Sequence, residues 1–332
     1  MFCSDCFNDD FIRDFIVRKG AIKDACPNCG SLSPQVEPRQ LAPYLEQLFD
    51  AYSIKPEGGK PLAVLWQEDW RVFSDRLLDP GALVRAVLGV GPETLFSPRP
   101  AEGGISLEHW DQLRREIKGV NRFFPEYSLS GEVISKVFDH LAIDVPKDVF
   151  YRGRIVESGK EHQLDQLGAP PPHLASAGRA NPIGIPYLYL ATDEITAMSE
   201  IKPQKGAEAI VVGFRQATDR QLRVVDLHEP RAKISPFKWS GAIPDLLSTV
   251  PLIEALGHEL SIPVQSTSAA VDYLASQYVC ELIKKCGFSG VRYGSSLGPG
   301  ANFAFFDPAE FEVYPPPRRY QVADVRIETR QI

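Results

Sequence analysis

Apolar positions change their spacing part-way along the chain. From about residue 38 to 143 they recur three and four apart. Leu41, Tyr44, Leu45, Leu48, Phe49 and Tyr52 form one series, Leu107, Trp110, Leu113 and Ile117 a second, and Val133, Ile134, Val137, Phe138 and Leu141 a third. That spacing lays one apolar stripe along each of three helices. Pro92, Pro98, Pro100 and the Gly103-Gly104 pair mark loops between the first series and the second. No run alternates as a strand does, so the region reads as a helical bundle.

From about Val149 the texture is different. VFYRG, PYLYLA, AIVVGF, LRVVDL, GVRYG and NFAFFD are short runs rich in Val, Tyr, Phe and Ile, the composition of strands. The clearest helix in this half runs from about Val271 to Lys285, with Val271, Leu274, Ala275, Tyr278, Val279, Leu282 and Ile283 on one face. Lys284 and Lys285 fall in its last turn and Gly287 follows, matching dipole and C-cap preferences. The predicted fold class is α+β, with a mixed or antiparallel sheet. The tail VYPPPRRYQVADVRIETRQI suggests a proline-forced turn and a last edge strand.

Composition adds limits. The 332 residues are 44% hydrophobic and 24% charged, enough for two ordinary domains with buried cores. A net charge of -7 argues against broad nucleic-acid binding, which needs a clustered basic surface. No apolar run is long enough for a bilayer, and MFCSDCFNDD has neither the basic nor the apolar region of a signal peptide, so the expected location is the cytoplasm. Cys3 and Cys6 form one C-x-x-C pair and Cys26 and Cys29 another, with nineteen residues between the pairs. That spacing fits a tetrahedral Zn²⁺ site whose closed shell leaves no room for substrate. The alternatives are unrelated thiols or a redox pair. Cys280 and Cys286 lie far away on the predicted helix, beside no activating group. His162, His173, His228 and His258 show no ligand spacing with nearby acids.

Three segments gather candidate chemistry. FYRGR puts Arg152 and Arg154 at or just after a strand. AGRANPIGIPYLYLATDEITAMSE holds a Gly-Arg turn, a strand and a short helix ending at Glu200. SQYVCELIKKCGFSGVRYGSS runs a helix into a strand and a Ser-Ser-Leu-Gly-Pro-Gly loop. Gly298-Pro299-Gly300 reads as a turn rather than a phosphate cradle, and neither a Walker loop nor a GxGxxG is present. Taken singly, each residue has a bland reading: an exposed strand-end Arg152, a core Tyr189, a solvated Glu200 paired with Lys202, a turn Ser295.

Together these segments resemble the RES family, named for its Arg, Glu and Ser. Tyr151-Arg152 matches the Tyr-Arg that ends the family's first strand. Residues 177–184 match its Gly-Gly-Arg-Trp-Asn-Pro-x-Gly turn apart from the first Gly and the Trp, which are Ala177 and Ala180 here. Tyr189 and Glu200 keep the eleven-residue separation of the strand Tyr and helical Glu, and Tyr293-Gly294-Ser295-Ser296 matches the late Tyr-x-Ser-Ser-like segment. The resemblance covers about residues 146 to 312. It implies an ADP-ribosyltransferase-like domain from about residue 146 to 332, after a zinc module at 1–35 and a helical domain at 38–143.

The resemblance further implies NAD as substrate and frequent use as the toxin of a toxin–antitoxin pair. On that reading Glu200 stabilises the charge developing on the ribose, and Arg152 grips the pyrophosphate. Tyr189 stacks on nicotinamide, Ser295 bonds the substrate, and Arg179 is a second phosphate or orientation residue. Expected partners are NAD, a cognate antitoxin and a second copy of the chain. A helical region before a RES domain also resembles the HEPN-type N-terminal domains of some RES proteins. HEPN ribonucleases carry an Arg followed a few residues later by a His on a helix; His109 and His140 do not follow an Arg in that way. Two readings compete with NAD degradation by hydrolysis or phosphorolysis. One is ADP-ribosylation of a protein, which cleaves the same bond. The other, of a different class, is a partner- or nucleic-acid-binding module with a degenerate enzyme half.

Overall fold

The computed structural model describes residues 1–22, 24–129, 131–156, 164–262 and 269–325. His162 lies outside the described residues. The chain divides into two compact units: 1–107 with 131–140 and 230–253, and 108–130 with 141–229 and 254–332.

In the first unit, β1 (Phe2–Cys3) pairs antiparallel with β2 (Gln35–Val36), and α1 (Asp10–Lys19) lies between them in sequence. Asp9 starts α1 by accepting the Ile12 N–H at 3.1 Å, and Arg18 and Lys19 sit in its last turn, where they suit the helix dipole. Pro38 opens α2 (Pro38–Phe49), a position where its missing N–H costs nothing. The chain continues through β3 (Tyr52–Ile54), β4 (Lys60–Pro61), α3 (Leu62–Trp70), α4 (Pro80–Leu88) and β5 (Leu95–Pro98), and later through α6 (Glu132–His140) and the start of α8 (Ile243–Ser261). The expected helices around Leu41, Leu107 and Val133 form, but the stretch between the first two is not loop alone. It holds α3, α4 and a three-stranded sheet ordered β3-β5-β4. These strands are two to four residues long, too short for alternation to show.

The second unit contains α5 (Leu107–Gly119), β6 (Ala142–Asp144), β7 (Phe150–Ile155), β8 (Leu188–Ala191), α7 (Glu194–Glu200), β9 (Glu208–Gln216), β10 (Arg223–Asp226), α9 (Ala269–Lys285), β11 (Gly290–Gly294), β12 (Ala301–Phe305) and β13 (Phe311–Gln321). Each of the six strand-like runs becomes a strand. The eight strands form one sheet ordered β13-β9-β7-β8-β12-β11-β10-β6, mixed because β10 and β11 run parallel and the other pairs antiparallel. The proline-rich tail does not turn. β13 stays beside β9 along its length, with a register shift between Tyr314 and Arg318 that absorbs the three prolines at an edge.

One face of the sheet packs an aromatic core, in which Phe150 meets Phe303 edge-on at 5.0 Å and Phe305 lies 4.1 Å from Phe311. The other face carries Ala191 and Val211, small enough for α7 to settle closely through Ala197. Gly153 of β7 is needed there: a Cβ would stand 2.7 Å from the Ala197 carbonyl oxygen. β7 and β8 share only the pair Tyr151↔Ala191, whereas β7 and β9 share six. Away from that one pair the two central strands part, and the parting makes room for a cavity.

Candidate active site

A cavity of about 260 Å³ lies at the parting of β7 and β8. Tyr151, Arg152 and Gly153 border it from β7, and Tyr189, Leu190 and Ala191 from β8. Ala197, Glu200 and Ile201 close it from α7 and its end. Tyr293 and Asn302 contribute from β11 and β12, and Arg179 from the turn before β8. The register places Tyr151, Ala191, Asn302 and Tyr293 in one row across four strands. Four of the residues singled out in the sequence, Arg152, Arg179, Tyr189 and Glu200, therefore border one hollow.

Glu200 is held by two donors on a single oxygen. Ser295 Oγ and Asn302 Nδ2 each donate to Oε1, both at 2.6 Å. Among the described residues no hydrogen bond reaches Oε2. Glu200 is not paired with Lys202. Ser295 is itself fixed: its Oγ accepts the Gly298 N–H at 2.9 Å and the Leu297 N–H at 3.2 Å, and its N–H donates to the Gly300 carbonyl. The Gly-Pro-Gly loop supports this arrangement by packing on the start of α7. Gly300 donates its N–H to Thr196 Oγ1 at 2.9 Å, and a Cβ on Gly300 would stand 2.1 Å from Asp193 Oδ2. Asp193 caps α7 by accepting the Thr196 N–H at 2.8 Å.

Arg152 meets the cavity with a guanidinium whose Nη1 is buried and makes no hydrogen bond. Burial, with Arg154 nearby, lowers its pKa to about 10, so it stays cationic at neutral pH. A buried donor left unpaired is uncommon. Arg154 is partly spent, donating to the Gly168 carbonyl at 3.0 Å.

The turn carrying Arg179 is tied down from several sides. Tyr189 OH accepts the N–H groups of Ala180 and Asn181 at 3.0 and 3.2 Å and donates to Asn181 Oδ1 at 2.7 Å. Burial raises the Tyr189 phenol above its ordinary pKa, so it remains neutral. On α9, Ser276 donates to the Arg179 carbonyl at 2.6 Å and Gln277 to that of Gly178 at 2.8 Å. Arg179 Nη1 donates to the carbonyls of Leu260 and Ser261, both at 3.1 Å, so part of its fork is used on the end of α8. Tyr187, the neighbouring candidate, is buried and donates to Glu281 at 2.6 Å; among the two tyrosines of the strand it is Tyr189 that faces the cavity.

Asn302 escaped the sequence reading. Its signal was present: a single amide in the otherwise apolar run NFAFF, 5% exposed in the folded chain. A polar residue buried at that position needs a partner, and its partner is Glu200.

Residues 153–326 match the family model described as the RES domain, just over half of the chain. The chain belongs to the RES family. Among solved structures, the chain is similar to one chain of the M. tuberculosis MbcT–MbcA toxin–antitoxin complex. The likeness covers 58% of this chain and 93% of that one, at 13% identity and a TM-score of 0.34. No curated protein sequence matches this chain.

In the first unit the four N-terminal cysteines come together. Cys3 lies 3.7 Å from Cys6 and 3.2 Å from Cys29, and Cys6 lies 3.7 Å from Cys26, sulfur to sulfur; all four sulfurs are within 4.8 Å of one another. Tetrahedral Zn–S bonds put sulfurs about 3.8 Å apart, so the set fits the metal. β1 supplies Cys3, and the Cys26–Gly30 turn closes through the Gly30 N–H to the Cys26 carbonyl at 2.8 Å. Burial pushes the Cys3 thiol up to about 12. Cys280 is fully buried and its thiol is likewise pushed up by burial. Among the described residues no helix is long and apolar enough to cross a membrane.

Proposed function

We propose that this RES protein consumes NAD by breaking the bond between nicotinamide and ribose, passing the ADP-ribose to water or phosphate, and that it acts as a toxin held in check by an antitoxin. Membership of the RES family supports the substrate class and the toxin role. The observation that carries the chemistry is Glu200: a carboxylate fastened through Oε1, with Oε2 free, on the wall of a cavity that also holds the unpaired Arg152. The cavity suits the nicotinamide–ribose end of the dinucleotide with the pyrophosphate reaching Arg152 on its wall, and the adenosine lies outside.

Nicotinamide is cationic when bound and departs neutral, so the leaving group needs little acid help. Positive charge appears on the ribose as the C–N bond breaks, as in glycoside cleavage. Glu200 Oε2 stabilises that charge and accepts a ribose hydroxyl. Arg152 supplies the cation for the pyrophosphate. Tyr189 offers a ring face to nicotinamide while its hydroxyl keeps the Arg179 turn in place. Ser295 acts through Glu200, since its own proton is given to Oε1. The zinc module is structural on this reading: Cys3, Cys6, Cys26 and Cys29 fill all four positions around Zn²⁺ and leave none for a reactant.

The test is to incubate purified protein with NAD, with and without phosphate, and identify products by mass. Free nicotinamide with ADP-ribose, or with its phosphorylated form when phosphate is added, is the expected result. Release of nicotinamide only when a protein acceptor is present would replace this reading with protein ADP-ribosylation. No nicotinamide under any condition would overturn both.

A further inference from the structure

The first unit contains a second hollow, of about 250 Å³, between the start of α1, the end of α3 and the segment 232–238. Its floor is buried: Asp9, Trp70 and Ser235 expose 9%, 4% and 4% of their surface. Its rim carries the exposed Arg71, Lys233 and Lys238.

The floor has groups that want partners. Ser235 is fixed by its backbone N–H, which donates to His140 Nε2 at 3.0 Å, yet its buried hydroxyl makes no hydrogen bond. The hydroxyl stands near Asp9 without completing a bond to it. Asp9 spends Oδ1 on the Ile12 N–H. The Trp70 Nε1–H is spent on Tyr52 OH at 2.9 Å, so the indole offers the hollow only its ring surface. A buried hydroxyl is seldom left unpaired in a folded chain.

The rim shows a second oddity. Arg71 ends α3 in the left-handed conformation, φ 52° and ψ 38°, its N–H bonded to the Gln67 carbonyl at 3.1 Å. Glycine is the ordinary residue at such a helix end. An arginine there keeps a cation on the rim at a conformational cost.

We propose that this hollow binds a small sugar phosphate. The phosphate meets Arg71, Lys233 and Lys238, a sugar hydroxyl bridges Asp9 and Ser235, and the carbon skeleton lies on Trp70. Each part of the lining excludes something else. The three rim cations outnumber the carboxylates of Asp9 and Asp10 and disfavour a metal ion or an amine. A bare anion leaves Asp9 facing it and Ser235 unsatisfied. A neutral sugar offers no charge to Arg71 and Lys238.

Calorimetry on the full, zinc-loaded chain tests this with three probes: ribose 5-phosphate, ribose and inorganic phosphate. Ribose 5-phosphate should bind at least tenfold more tightly than either fragment. Lys238→Glu and Ser235→Leu should each weaken it by at least tenfold, one by reversing a charge and one by filling the floor. Arg71→Gly should also weaken binding but should not lower the melting temperature, because glycine is at ease at that φ. That variant separates lost binding from lost folding. Arg152→Ala should leave ribose 5-phosphate binding unchanged, which separates this hollow from the proposed active site. No heat with any probe would overturn the proposal. So would phosphate alone binding as tightly as the sugar phosphate, or binding lost in Arg152→Ala and kept in Lys238→Glu.

Discussion

The four cysteines of the first unit and the Glu200 cavity of the second are both clusters of ionisable side chains, arranged to opposite ends. The thiols converge on one point, all four sulfurs lying within 4.8 Å of one another. Glu200 and Arg152 face a hollow, and each keeps an atom without a partner: Oε2 on one, Nη1 on the other. A cluster that converges on a point suits an ion that stays. A cluster that borders a hollow and leaves valences open suits a molecule that comes and goes. The comparison teaches where to look for chemistry in a chain of this kind: at the polar groups the fold has left incomplete.

Several measurements can break or sharpen that contrast. Removing the metal should have the largest effect, because binding energy at a structural zinc site is folding energy, about 10–16 kcal/mol in small zinc peptides. Fresh protein should carry close to one equivalent of zinc, and chelation should melt the first unit by circular dichroism; less than half an equivalent would undo the assignment. Glu200→Gln keeps size and hydrogen bonding and removes the charge. Turnover of NAD should fall by about a hundredfold or more, the scale of one lost electrostatic stabiliser, with KM little changed. Parent-rate turnover by this variant would remove the site from consideration. Arg152→Ala should act the other way, raising KM for NAD by about tenfold or more with a smaller effect on kcat, since a pyrophosphate contact exists before and during the reaction. Asn302→Ala should cut kcat by about tenfold, the cost of one hydrogen bond to a charged group, without changing zinc content. The smallest effect belongs to Cys280→Ser with Cys286→Ser: the buried Cys280 thiol has its pKa raised and holds its proton, so NAD turnover should be unchanged within twofold.

Much of the second unit could be read directly from the chain. Runs such as AIVVGF and GVRYG have a composition that little but a buried strand uses, and each became one. Glu200 was found through the resemblance to the RES pattern, in which its eleven-residue separation from Tyr189 is a local feature. Asn302 was not, because its meaning depends on a partner 102 residues away. The small sheet of β3, β4 and β5 was hidden by strand length, and α3 because LAVLWQEDW is apolar on more than one side. That residues 230–253 join the N-terminal unit is a fact about contacts between distant segments, and no periodicity encodes it.

The register shift in β13 has a consequence for how copies of this protein can meet. Pro315, Pro316 and Pro317 sit in a strand at the rim of an eight-stranded sheet and have no N–H to give. Three residues span about 10 Å of extended chain, and over that length an approaching strand finds no ladder to join. The opposite rim is β6, three residues long. Neither border of the sheet is a good template for fibril growth, so the chain has little tendency to zip into aggregates through its largest sheet.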